Sequence, residues 1–133
     1  MFNLLKQYGI NPEDILNLQS EEKQIQAIKE NGYRILHISN PSEKVQLQAV
    51  KQGGFSIRYI SNPSEKVQLE AVKQNGHSIR YISNPSEKVQ RLFVKYILQQ
   101  KEDTDMNQYC FHKLSRDVME DLLKQITIKN IIT

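Results

Sequence analysis

Residues 38–59, ISNPSEKVQLQAVKQGGFSIRY, run directly into residues 60–81, ISNPSEKVQLEAVKQNGHSIRY. The two segments differ at only three positions, Gln48/Glu70, Gly53/Asn75 and Phe55/His77, and so define a period of 22 residues. One period earlier, residues 16–37 hold a worn copy in which EEKQIQAIKENGYRI matches EKVQLQAVKQGGFSI. One period later, a fourth copy opens at Ile82 and diverges after Gln90, with Leu98 where Gly54 and Gly76 stand before it. A unit this short cannot bury an apolar face alone, so a repeat of this length marks units that stack on one another.

Each unit reads as two helices. In NPSEKVQLQAVKQGG, Asn40 suits an N-cap and Pro41 the first helical position. Glu43 then takes the third position, a variant capping box beside the positive end of the helix dipole. Gly53-Gly54 ends that helix, with Gly54 expected in the left-handed conformation. A shorter helix, FSIRYIS or HSIRYIS, follows until the next Ser-Asn-Pro stops it. Turning each residue by about 100° puts Val45, Leu47, Ala49 and Val50 on a wide arc with Ser42 and Gln46 at its middle. An arc that wide fits a helix packed between two neighbours. On the second helix Phe55, Ile57, Tyr59 and Ile60 make a similar arc around Ser56, while Lys44, Gln48, Lys51 and Arg58 point outward.

The expected fold class is therefore all-α: a right-handed-type helical-repeat solenoid of about four 22-residue, two-helix repeats with capping helices at both ends. Its parts are an N-terminal cap over 1–15, repeats over 16–37, 38–59, 60–81 and 82–100, and a capping segment over 101–133. Asn11-Pro12 marks a helix start inside the first cap. In the fourth repeat the missing glycine lets RLFVKYILQQ run on as a longer helix. After the polar linker KEDTDMNQ, Ser115 caps a final helix, SRDVMEDLLKQI, with Val118, Met119, Leu122, Leu123 and Ile126 on one face. That face closes the open end of the stack, or else pairs two copies of the chain through 115–126.

The phrases NPSEKVQLQAVKQGG and NPSEKVQLEAVKQNG resemble the short helical repeat of the domain of unknown function forty-one-sixteen family, over about residues 16–98. More distantly they are similar to HEAT repeats and to the leucine-rich repeat variant. The resemblance implies a stacked helical binding scaffold and names no activity.

Composition narrows the setting. No apolar run approaches the roughly 20 residues of a membrane span, and MFNLLKQYG lacks the basic start and long apolar stretch of a signal peptide. Cys110 is the only cysteine, which excludes an intrachain disulfide and a cysteine zinc cage. These features point to a reducing cytoplasm, that of the source or of a host cell.

The repeats also act as internal controls on candidate chemistry. His77 fills the slot of Tyr33 and Phe55, and His37 that of Tyr59 and Tyr81, so both are expected to pack as aromatics. Glu43, Glu65 and Glu87 recur as helix-capping residues. Cys110 and His112 are the only Cys–His neighbours; two ligands do not hold zinc, and a nucleophile needs an orienting group and an oxyanion pocket. They are expected as a satisfied pair in the capping segment. No catalytic residue, metal or cofactor is expected, and the chain reads as non-enzymatic. Gln24, Gln46, Gln68 and Gln90 keep glutamine at the middle of the inward arc in all four copies. A buried amide needs partners, which predicts a ladder bonding successive repeats or the loop backbone between them. The alternative is a half-exposed residue retained by recent duplication.

From Ile38 to Lys95 there are nine basic and four acidic residues, a net of +5, while the flanks 1–37 and 96–133 each carry −1. The outward charges recur once per repeat, and the expected partner-binding residues are Lys44, Lys51, Arg58, Lys66, Lys73, Arg80 and Lys88. They suit a protein-binding scaffold, one form of which is a small inhibitor that occludes a larger protein such as a bacterial defence nuclease. The alternative is nucleic-acid binding through the Lys and Arg ladders, against which no aromatic is expected to be exposed for base stacking. A third reading gives the charges no task beyond keeping the chain soluble.

Overall fold

A computed structural model describes residues 7–100 and 105–132. The described residues are helical with no strand. The α-helices are α1 (Glu21–Glu30), α2 (Glu43–Gln52), α3 (Glu65–Gln74), α4 (Glu87–Gln99), α5 (Asp105–Gln108) and α6 (Arg116–Ile132). Between the first four lie 3₁₀ segments, Gly32–His37, Gly54–Tyr59 and Gly76–Tyr81, with two more at Pro12–Leu18 and Phe111–Lys113. The second helix of each of the first three units is thus a 3₁₀ turn and not an α-helix, and the fourth unit has none. Six residues held between an α-helix and an Asn-Pro turn are too few for a stable α-helical nucleus, and the tighter 3₁₀ form uses them fully.

Successive helices pack side by side, α1 on α2, α2 on α3 and α3 on α4, and the three 3₁₀ segments that separate them do the same. Each of the three 3₁₀ segments also touches the helix before it and the helix after it. The result is two adjoining rows, one of α-helices and one of 3₁₀ turns. Between them lies one continuous core. Val45, Ala49 and Val50 of α2, Val67, Ala71 and Val72 of α3, and Ile57, Ile79 and Ile82 are all buried.

The caps lie two residues later than the sequence suggests. Ser42, not Asn40, is the N-cap of α2, its hydroxyl accepting from Val45 N at 3.3 Å, and Glu43 is the first helical residue. Ser20, Ser64 and Ser86 cap α1, α3 and α4 in the same way. Asn40 and Asn62 instead turn the chain at φ 52° and 50°, a left-handed conformation that asparagine tolerates better than most residues. Glu43 keeps its favourable place near the helix N-terminus, and its carboxylate also accepts a 2.7 Å bond from the hydroxyl of Ser64, the cap of the next helix.

Gly54 is not left-handed either. The extended residue Gly53, at φ −168°, ends α2. Gly54 is needed for closeness: a Cβ there would stand 2.5 Å from both the Ala71 carbonyl oxygen and Ser78 Oγ of the next unit. Gly32 makes the equivalent approach to Ala49 O and Ser56 Oγ, and Gly76 lies against the ring of Tyr96. The repeated glycine therefore sets how tightly one unit seats on the next.

At the C-terminal end α4 runs for 13 residues, through the position where earlier units have glycine. Part of the expected linker is helical, as α5, while residues 101–104 lie outside the described residues. Ser115 Oγ accepts from Val118 N at 3.4 Å. Helix α6 packs Val118, Leu122 and Met119 with Val94, Ile97, Leu98, Phe111 and Leu114. Leu123 is 57% exposed, while Ile126, 39% exposed, lines a cleft at the edge of that face with Ile97, Leu98, Phe111 and Leu122. The first six residues of the expected N-terminal cap are likewise outside the described region, and Asn11-Pro12 leads into a 3₁₀ segment. No described helix is long and apolar enough to cross a membrane.

Candidate partner-binding surfaces

Three of the four glutamines take one geometry, bonding the carbonyl five residues earlier. Gln46 Nε2 donates to Pro41 O at 2.9 Å, Gln68 Nε2 to Pro63 O at 3.0 Å and Gln90 Nε2 to Pro85 O at 3.0 Å. Gln24, in the worn copy, donates to Leu16 O at 3.1 Å. Each amide thus pins the loop that leads into its own helix, rather than bridging to a glutamine in the next unit. Gln90 does more: its Oε1 accepts from Ser115 N at 2.6 Å, so the last rung ties the C-terminal segment to the repeats. The same oxygen of Gln68 is buried without a partner.

His77 sits in the aromatic slot, edge-on to Tyr96 with ring centroids 5.3 Å apart, as Tyr33 is to Tyr59 and Phe55 to Tyr81. Its Nε2 is also 3.0 Å from Oδ1 of the buried Asn107. The aromatic slot nearest the C-terminal segment therefore holds a ring that hydrogen-bonds it. Cys110 and His112 are not a pair: Cys110 is fully buried in the main core and His112 is exposed. Burial pushes the Cys110 thiol up, against a smaller downward pull from Arg80 and Lys113. A buried, protonated thiol is a poor nucleophile. Cys110 is expected to react with a chromogenic disulfide reagent at neutral pH far more slowly in the folded chain than after denaturation; equal rates would contradict its placement.

The seven expected partner-binding residues fall on two different rows. Lys44, Lys51, Lys66, Lys73 and Lys88 lie on the α-helices, and Arg58 and Arg80 on the 3₁₀ segments. Their circumstances differ as well. Arg58 lies over the rings of Tyr59 and Tyr33, at 4.6 and 5.4 Å from the centroids, and donates to the Tyr59 hydroxyl; Arg80 lies 5.2 Å over Tyr81. The remaining arginines are ion-paired, Arg34 with Glu30, Arg91 with Glu87 and Asp121, and Arg116 with Glu120. By contrast the ammonium groups of Lys29, Lys44, Lys51, Lys66, Lys73, Lys88 and Lys95 are exposed, with no hydrogen bond or ion pair to any described residue.

The helical wheel could not separate the two rows, because it carries no information on how one element turns against another. It also misplaced Tyr59, assigned to the inward arc but 37% exposed, and Tyr33 is 45% exposed. Exposed rings are therefore present, on the 3₁₀ row and beside Arg58. No family model matches the chain, and neither a curated protein nor a solved structure does.

Proposed function

We propose that the chain is a four-repeat helical solenoid and a non-enzymatic protein-binding scaffold, whose partner docks on the row of α-helices. The observation that carries this reading is the set of seven unpaired lysines, one position of which recurs in all four repeat helices and the other in α2, α3 and α4, while every arginine is engaged within the chain. Unpaired, evenly repeated cations steer an acidic partner and fix its register. A scaffold of this size laid over the working surface of a larger protein would act as an inhibitor.

One observation favours a second reading, nucleic-acid binding: the exposed Tyr33 and Tyr59 flank Arg58, and bases stack on such rings. Fluorescence anisotropy with a single-stranded RNA of about 15 nucleotides separates the two, because phosphate contacts lose affinity steeply between about 50 and 200 mM salt. Protein binding through the lysines predicts no saturable RNA binding at physiological salt. Tight RNA binding with a steep salt slope, abolished by Tyr33→Ala/Tyr59→Ala, would establish the second reading instead.

A further inference from the structure

The lysine rows have a spacing that specifies what fits between them. Lys44 and Lys51 are seven residues apart on α2, a rise of about 10 Å, and Lys66 and Lys73 repeat this on α3. Adjacent packed helices are also about 10 Å apart. The lysines therefore form two parallel rails running across the helices: Lys44, Lys66 and Lys88 on one side, a rail that begins at α2 because α1 has Glu22 there, and Lys29, Lys51, Lys73 and Lys95 on the other.

Between the rails runs an apolar line. Ile25, Leu47 and Leu69 occupy one position in α1, α2 and α3, and all three are half-buried. In the groove between α1 and α2, of about 450 Å³, Ile25 and Leu47 lie together with Lys29, Lys44 and Lys51, and with Glu22 as the one acidic residue of the lining. At α4 the same position is Arg91, ion-paired to Glu87 and Asp121, so the apolar line has three members and a polar stop. The aromatic side chains lie elsewhere. Tyr33, Phe55, Tyr59 and Tyr81 belong to the 3₁₀ row, Phe93 is buried, and Tyr96 is turned to His77. A nucleic acid on the rails would meet no stacking ring of the described repeat residues and would leave the apolar line unused.

The geometry points to an acidic amphipathic helix as the occupant of this surface, lying across α1, α2 and α3. Residues i, i+7 and i+14 of such a helix are separated by about 10 Å, the spacing of Ile25, Leu47 and Leu69 across the packed helices. Its body is about 10 Å wide, which sets its flanking carboxylates against the two rails. Helices recognised in grooves use the same pattern of spaced apolar anchors. This inference rests on the protein-binding reading and names the chemistry of the partner.

The test uses the full chain and three fluorescent probes. One is a helix-forming 15-residue peptide with leucines at i, i+7 and i+14 flanked by glutamates, one a permuted peptide of the same composition, and one a single-stranded RNA of equal length. At physiological salt the striped peptide is expected to bind at least about tenfold tighter than the permuted one. Lys51→Glu/Lys73→Glu is expected to weaken it by about tenfold or more, while Arg58→Glu/Arg80→Glu leaves it unchanged. These lysines are exposed and unpaired, so their reversal leaves the core intact, and a circular-dichroism melt checks that it does. Equal binding of the two peptides, binding of neither, tighter binding of the RNA, or loss with the arginine variant alone would each overturn the inference. A protein captured from lysate through the lysine rows but not displaced by the striped peptide would leave the scaffold reading standing and overturn this one.

Discussion

Gly54→Ala is expected to lower the thermal midpoint by about 10 °C in a circular-dichroism melt, while Gly53→Ala beside it changes the midpoint little. The contrast follows from what each added methyl meets. At position 54 the Cβ would stand 2.5 Å from a backbone oxygen, Ala71 O, which cannot rotate away, and 2.5 Å from Ser78 Oγ. The two units must then separate, and overpacking of this kind costs about 1–3 kcal/mol. At position 53 nothing lies within 4 Å, and the backbone is extended. Asn75 already occupies the equivalent place in the next unit, where its side chain accepts from His77 N at 3.1 Å. A Gly54→Ala chain that melts with the parent would mean that the units do not seat as closely as described.

Gln90→Ala is expected to be the most damaging of the glutamine replacements, at about 2 kcal/mol. Removing the amide strips the Pro85 carbonyl of its donor and the Ser115 N–H of its acceptor. Both bonds are only part-buried, so the loss of each costs on the order of 1 kcal/mol. Gln68→Ala removes only the bond to Pro63 O, so a smaller loss of about 1 kcal/mol is expected. Ordering the two variants by chemical denaturation checks the account. If Gln90→Ala and Gln68→Ala were equally mild, the link from the repeats to the C-terminal segment would be wrong, and if neither had any effect the glutamines would be bystanders.

How much of this was legible in the residues depends on the scale of the feature. The helical units and the buried Val45, Ala49, Val50 and Ile57 followed from a period and a wheel, because near-identical copies must solve the same packing problem. Local choices between similar residues were less legible. Asn40 and Ser42 are both good caps, two residues apart around a proline, and the sequence cannot say which one the chain turns at. Ser42 takes the cap because its hydroxyl reaches Val45 N, which leaves Asn40 to make the turn. The position of Gly54 suggests a glycine's usual task at a helix end, whereas its actual constraint comes from Ala71 and Ser78 in the next unit. Such a constraint is tertiary and leaves no local signature.

The candidate surface divides the same way. The recurrence of Lys44, Lys66 and Lys88 is visible in the sequence, and so is that of Arg58 and Arg80. That the arginines are already held against tyrosine rings while the lysines stand free depends on how the 3₁₀ segments turn against the helices. Likewise the C-terminal helix shows its apolar residues on a wheel, but only packing against Ile97, Leu98 and Phe111 selects Val118 and Leu122 over Leu123 and leaves Ile126 at the edge.

The central claim is that the helical row holds another protein through its free lysines. Its most direct test is affinity capture by the tagged chain from a lysate of its source or host cells, with and without nuclease treatment, beside a Lys44→Glu/Lys66→Glu/Lys88→Glu variant. The account predicts a discrete protein partner that survives nuclease and is lost with the variant. A retained fraction that vanishes on nuclease treatment, or a protein partner held equally by the variant, would contradict it.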